Sequence, residues 1–448
     1  MVETIVKHER MKITHYANSF IEISEGDSNL LCDPWISTAN HGSWHVVPNI
    51  PEVQAIQTVS RATHIYISHL HSDHLCTELL KKCNLEEKIF IISKFKVPTL
   101  KRELEALHPS SVLELVPWTK YQIGNFDVAI IPQIASSTSP METNINYDLD
   151  TSLLVQSRRD KIVFFNKVDN PLPLSSLSRI MEFSFNTFGS EPEIATLNVG
   201  AAGEYPQCFL GIDREAECGR VIEQSLTSFE KEISIINPLF AFPAGGLYAL
   251  AGNRTALNKW LAIPESSKII ERARSASPKT TTVDLLGSGS IQTQVDEPRI
   301  SATNGSWKFP DVEMLKAVSF DYESTAFNEN NQICSYQEKL EEALNTYQSM
   351  CAQFVPELDW SISINLYHNF SISDNGEIYN SKVDHVVNLI DVDSDKSITL
   401  HIDCRAFVGA INRKFSWNQL ISGSHALIER QPNVYDPDVL FSLNFFRI

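Results

Sequence analysis

The run Ser68-His69-Leu70-His71-Ser72-Asp73-His74 decides how this chain is read. It places three imidazoles and a carboxylate within six residues, directly after the apolar stretch Thr63-His64-Ile65-Tyr66-Ile67. Neutral imidazole nitrogen and carboxylate oxygen are ligands that zinc, iron and manganese share. In an extended segment, side chains two apart point the same way. His69 and His71 therefore share one side, while Asp73 and His74 reach a second position beyond the turn. A strand entering this cluster and a helix leaving it (Leu75 to Leu85) predict a scaffold for two neighbouring metal ions. The competing reading is a solvated polar turn, but a spaced ligand set is far more specific than a lone histidine.

Composition narrows the classes. With 448 residues the chain can bury a sizeable core, and 43% hydrophobic with 21% charged residues is the balance of a soluble globular protein. A net charge of −18 leaves no basic stripe to displace counterions from nucleic acid, and it disfavours an anionic membrane surface. The eight cysteines are scattered without a C-x-x-C pair, which is free-thiol usage in a reducing compartment. The N-terminus Met1-Val2-Glu3-Thr4-Ile5-Val6-Lys7 has no apolar signal core, and Leu239 to Gly252 is too short and too rich in Gly and Pro to span a bilayer. The expectation is a cytoplasmic protein with a small-molecule substrate and neither nucleic acid nor membrane as partner. Oligomeric state is not legible.

Along the chain, Ile13 to Ile23 alternates like a half-buried strand and is followed by a turn at Glu25-Gly26-Asp27-Ser28-Asn29 and the run Leu30-Leu31-Cys32-Asp33-Pro34-Trp35. Strands are expected at Glu87 to Ser93, Val112 to Pro117, Tyr121 to Ile134 (broken at Gly124-Asn125), Thr151 to Gln156 and Lys161 to Val168, with a helix over Pro98 to Leu107. This order predicts a layered α/β sandwich. Ile212 to Ile236 reads as an amphipathic helix and Tyr336 to Phe354 as a second long one. The Ser/Gly/Thr/Asn-rich stretch 287–305 reads as a linker. It divides a metal-binding domain (1–286) from a C-terminal α+β domain (306–448).

The central motif resembles the His-x-His-x-Asp-His signature of the metallo-β-lactamase fold superfamily. The resemblance implies an αβ/βα sandwich with a C-terminal α+β extension, and a metal site supported from beneath by the Asp33-Pro34 step. It also implies a bridging carboxylate at the end of a later strand. Asp169, closing Lys161-Ile162-Val163-Phe164-Phe165-Asn166-Lys167-Val168-Asp169, stands in that order. Two further histidines of the zinc hydrolases are missing, since no histidine occurs between His108 and His368. The acidic loop Asn146-Tyr147-Asp148-Leu149-Asp150 offers a replacement oxygen, with Asp148 favoured, and His45 could approach from the loop after Asp33-Pro34. An oxygen-rich, histidine-poor set moves the metal from zinc towards iron or manganese.

A closer resemblance, to the metallo-domain of CMP-N-acetylneuraminate hydroxylase-like proteins, runs through Ile65 to Leu75, Val199-Gly200-Ala201-Ala202-Gly203-Glu204-Tyr205-Pro206, Pro238 to Gly246 and Asn433 to Phe441. The C-terminal part weakly resembles sterol-carrier-protein accessory domains. The family oxygenates its substrate with iron, using electrons from a Rieske domain. The Cys and His pairs of a Rieske centre are missing here, so electrons would come from a separate donor or from the substrate. Two functions are expected. The first is a non-haem, dinuclear iron oxygenase with His69, His71, Asp73, His74, Asp169 and Asp148 around two transition-metal ions and dioxygen as co-substrate. The second is a dinuclear zinc hydrolase in which Asp73, with His45 nearby, helps orient a metal-bound water against an ester, amide or phosphodiester.

Overall fold

Short runs of β-branched and aromatic residues separated by turn formers fill the first three hundred residues, and these runs become strands. The computed structural model describes residues 10–134, 150–200, 202–294, 299–324, 329–368, 370–379, 382–392 and 394–448. The first strands are β1 Lys12–Ala17, β2 Phe20–Glu25, β3 Ser28–Cys32, β4 Thr38–Ala39, β5 Trp44–Val46, β6 His64–Tyr66, β7 Ile89–Ser93 and β8 Ser111–Leu115. Then come β9 Tyr121–Ile123, β10 Phe126–Pro132, β11 Thr151–Ser157, β12 Val163–Asn166, β13 Ile194–Leu197, β14 Phe240–Pro243, β15 Tyr248–Leu250, β16 Thr281–Thr282, β17 Gly289–Thr293 and β18 Ile300–Thr303. The C-terminal strands are β19 Ser361–Tyr367, β20 His385–Ile390, β21 Ser397–Asp403 and β22 Leu427–Gln431.

Two mixed sheets carry the N-terminal part. One has the order β18-β17-β1-β2-β3-β6-β7-β8 and the other β16-β14-β13-β12-β11-β10-β9. Their facing sides share one core: Ile13, Ile23, Leu30 and Ile91 of the first meet Val128, Ile130, Val155 and Phe164 of the second. The outer face of the first sheet packs on the helices Glu52–Arg61, Thr77–Lys81 and Thr99–Glu105 through Val59, Leu79, Leu80 and Leu104. The outer face of the second packs on Leu174–Phe188, Arg214–Ile236 and Ser266–Ala276 through Leu177, Phe229 and Ile269. Helix, sheet, sheet, helix is the layering of the metallo-β-lactamase fold, a four-layer αβ/βα sandwich. Strands covered on both faces explain why their burial is nearly continuous rather than alternating.

Three expectations need correcting. Ile13 to Ile23 is a hairpin, turned at Asn18-Ser19, with both arms almost wholly buried. The helix after the histidine motif is only Thr77–Lys81, because Asp73 to Cys76 are spent shaping the loop. Residues 287–305 do not separate domains: β17 pairs with β1 and β18 with β17, so they extend the first sheet. Its Ser and Thr side chains serve an edge, where backbone pairing and not apolar pattern does the ordering.

The C-terminal sheet β20-β19-β21-β22 buries its own core under the helices Glu329–Phe354 and Cys404–Ile411. Arg254 stitches it to the sandwich. Fully buried, Arg254 donates from Nε to the Ser424 carbonyl (2.7 Å) and from Nη2 to that of His425 (2.9 Å).

Candidate metal centre

The motif lies in the loop after β6, and its scaffold starts with Asp33. Asp33 follows β3 at a positive φ of 41°, and its backbone N–H donates to the Tyr66 carbonyl (3.0 Å). Its carboxylate accepts from the Ser68 amide (2.8 Å), the Ser68 hydroxyl (2.7 Å) and Nδ1 of His74 (3.0 Å). Thr151, first residue of β11, donates to the Ser68 carbonyl (2.7 Å) and shares a hydrogen bond with Tyr66 (2.6 Å). That bond ties the start of β11 to the histidine loop and carries Asp150 with it.

Six donor side chains gather in two groups of three, His69–His71–Asp150 and Asp73–His74–Asp169, the ligand atoms of each lying within 4.8 Å of one another. In the first, His69 Nε2 is 3.0 Å from His71 Nδ1 and 3.3 Å from Asp150 Oδ1. In the second, His74 Nε2 is 3.1 Å from Asp169 Oδ2 and 3.3 Å from Asp73 Oδ2. Ligands held at about 2.1 Å from one ion stand about 3.0 to 3.4 Å apart, which is this spacing.

The hydrogen-bond logic agrees. His74 donates through Nδ1 to Asp33, so Nε2 of its neutral ring presents a lone pair to two carboxylate oxygens. Such a convergence is repulsive unless a cation, metal or proton, lies among the three atoms. Burial pulls His74 towards neutrality, yet Asp73, Asp169 and Asp33 lift it well above its ordinary value. Burial also opposes charge on Asp73 and Asp169, and His74 overrides it to hold both below the usual carboxylate range. Desolvation, with His74 and His71 adding to it, pulls His69 down to about 3, leaving a neutral imidazole at physiological pH. Residues of this kind and spacing fit a metal pair.

Side chains that the sequence left unmarked brace the second group. Asn18 donates to Asp73 Oδ2 (3.4 Å) and Asn198 to Asp169 Oδ1 (3.1 Å). Gly245, at φ 86°, passes so close that a Cβ there would sit 2.4 Å from Asp169 Oδ1. The segment Pro238 to Gly246 therefore needs its glycine for close approach to the Asp169 carboxylate. Ser72 is fixed by Asn40, whose amide donates to its hydroxyl (2.8 Å), and Asn40 is fixed in turn by His425 Nε2 (2.7 Å).

The structure thus brings together His69, His71, Asp73, His74 and Asp169, with Asp33 beneath. The acidic loop contributes Asp150, whereas Asp148, the favoured oxygen, lies outside the described residues. Asp150 abuts the strand whose first side chain anchors to the motif. His45 belongs to neither group. It sits on β5 between Thr38 and Ala249, and its Nδ1 donates to the Val46 carbonyl (2.9 Å). The pairing of β5 with β4 and β15 holds it in a small separate sheet.

Similarity to known proteins is partial. The chain is 28% identical over 152 residues to a protein of Mycolicibacterium smegmatis described as a Rieske 2Fe-2S iron–sulfur protein, covering 33% of this chain and 28% of that one. It is 36% identical over 85 residues to the cytidine monophosphate-N-acetylneuraminic acid hydroxylase of Asterias rubens, covering 18% of this chain and 13% of the hydroxylase. The chain thus matches less than a third of the length of these curated relatives. Among solved structures, CmlA, a diiron β-hydroxylase from Streptomyces venezuelae, aligns at a TM-score of 0.40 and 12% identity over 61% of this chain and 52% of that one. An isothiocyanate hydrolase from Delia radicum gut bacteria aligns at 0.42 and 11% identity over 67% and 100%. Alignments this loose carry no functional weight; the layering identifies the fold. No family model matches the chain.

Proposed function

We propose that this chain is a metal-dependent oxidoreductase, a dinuclear non-haem iron oxygenase acting on a small molecule. The observation that carries the reading is the donor set: three carboxylates stand with three imidazoles in the two groups, and a fourth carboxylate, Asp33, lies beneath. Hard oxygen donors in that proportion favour iron or manganese over zinc. The segmental identity to a hydroxylase supports the same direction.

In this reading His69, His71 and Asp150 would hold one ion and Asp73, His74 and Asp169 the other, with the charge of Asp169 also reaching His69. The metal pair would supply the binding and activation of dioxygen. The protein's part is orientation and charge. Asp33 fixes the His74 tautomer, Asn18 and Asn198 aim the carboxylates, and burial keeps His69 unprotonated.

Elemental analysis after aerobic and anaerobic purification, with the optical spectrum, tests the proposal. A pair of iron ions and dioxygen-dependent turnover uphold it. Stoichiometric zinc with hydrolysis of test esters would replace it by the hydrolase.

A further inference from the structure

A cavity of about 490 Å³ opens against the second ligand group, in the size range of small-molecule sites. Asn18 belongs to both, lining the cavity while donating to Asp73. Gly245, beside Asp169, lines it as well.

Its polar equipment is specific. His15 is 1% exposed and faces this space from β1. Its Nε2 donates to the Asn18 carbonyl (2.7 Å), which fixes the other nitrogen, Nδ1, as a lone-pair acceptor. That Nδ1 is buried with no hydrogen-bond partner among the described residues. An unmatched buried acceptor is costly unless something supplies a donor. Burial holds the His15 ring neutral, with its pKa down to about 4, so at neutral pH it can only accept there.

Charge narrows the ligand further. Asp284 and Glu265 line the cavity, and neither lysine nor arginine is among its described lining residues. Trp307 and Phe309 add aromatic faces of the kind that attract cations. An anionic ligand would meet two carboxylates and an acceptor nitrogen with no compensating lysine or arginine among the described lining residues.

We infer that this cavity is the substrate pocket and takes a small amine with an apolar or aromatic body, its N–H donating to His15 Nδ1 and its charge facing Asp284 and Glu265. The inference rests on the proposed function only for the word substrate; the binding site stands by itself. It excludes nucleotides and other phosphate-bearing molecules from this cavity.

The test is equilibrium binding to the full chain, metal-free and metal-loaded, followed by tryptophan fluorescence and calorimetry. The probes are phenethylamine and the isosteric carboxylate 3-phenylpropionate. The amine is expected to bind at least about tenfold more tightly in both forms, a difference of about 1.4 kcal/mol. Asp284→Asn and Glu265→Gln should each weaken the amine several-fold and leave the carboxylate no weaker. His15→Leu should weaken the amine as well. Should that buried change unfold the chain, the two carboxamide variants decide the matter alone. Equal binding of both probes, binding of neither, or amine binding indifferent to Asp284→Asn and Glu265→Gln overturns the inference. Because metal content is not the readout, a zinc-loaded or metal-poor preparation that still selects the amine would sink the oxygenase reading and leave the pocket intact.

Discussion

Asp73 and His74 of one triad are both buried among polar partners, whereas in the other triad His69 is buried but His71 is only half-buried. In the second group Asp33, Asn18 and Asn198 each hold one ligand, and both Asp73 and His74 are buried. In the first, His69 is buried and meets the Ser68 hydroxyl (2.9 Å). His71 is only half-buried and lines a cavity with Arg413 and Trp417 of the C-terminal part, where Asn418 reaches its Nε2 (3.3 Å). Two ligand triads of similar chemistry thus differ in how far their geometry is imposed before a metal arrives. Preorganised ligands bind more tightly because less ordering remains to be done. The second position is therefore expected to fill first and empty last.

The largest effect that would break this contrast comes from His74→Ala. Losing the ring that joins Asp33 to two carboxylates should remove the tight metal and lower turnover by more than about 100-fold. Elemental analysis of the purified variant checks it, and full metal content would contradict the assignment. His71→Ala should do less, halving the metal content and sparing the second position. If this variant loses all metal, the two positions are not independent and the contrast fails.

Acid probes the braces of both groups together. His15 holds Asn18 in place behind Asp73, and His425 holds Asn40 behind Ser72. Burial lowers His15 to about 4 and His425 well below its ordinary value of 6.5. Folded-state values below the unfolded one mean that the unfolded chain takes up protons that the native state refuses. Stability is then complete above pH 6.5 and lost as pH falls towards 4, by about 3 kcal/mol from His15 alone. Thermal melts of the metal-free protein across that range measure the loss; a flat profile would mean the rings are not held neutral. Smallest of the four, Asp33→Ala should cost about 10- to 100-fold in affinity at the second position with little change at the first. Metal titration in competition with a chelator resolves the two.

The histidine motif was legible because its ligands are local: four of the six donors lie within six residues. Asp169 was legible from its place at the end of an apolar strand. What escaped was set by distant contacts. The place of Asp150 in the first group depends on the Thr151 hydroxyl finding the Ser68 carbonyl across 83 residues of chain. Asn18 and Asn198 look like ordinary turn residues until the sandwich closes around the carboxylates they hold. His45 looked available because an aromatic-flanked loop was assumed where a short strand forms. The linker reading failed for a related reason, since composition reports the absence of a core face and says nothing of pairing at an edge.

Arg254 sits where the sandwich meets the C-terminal sheet, its guanidinium spent on carbonyls of a segment 170 residues further along. A shortened version ending after β18 would strip away the Ser424 and His425 carbonyls, leave the guanidinium only the Asn253 side chain within the protein, and bare the apolar surface around it. Anyone trimming this protein to a minimal catalyst should expect aggregation rather than a smaller enzyme, and should keep both halves in one polypeptide.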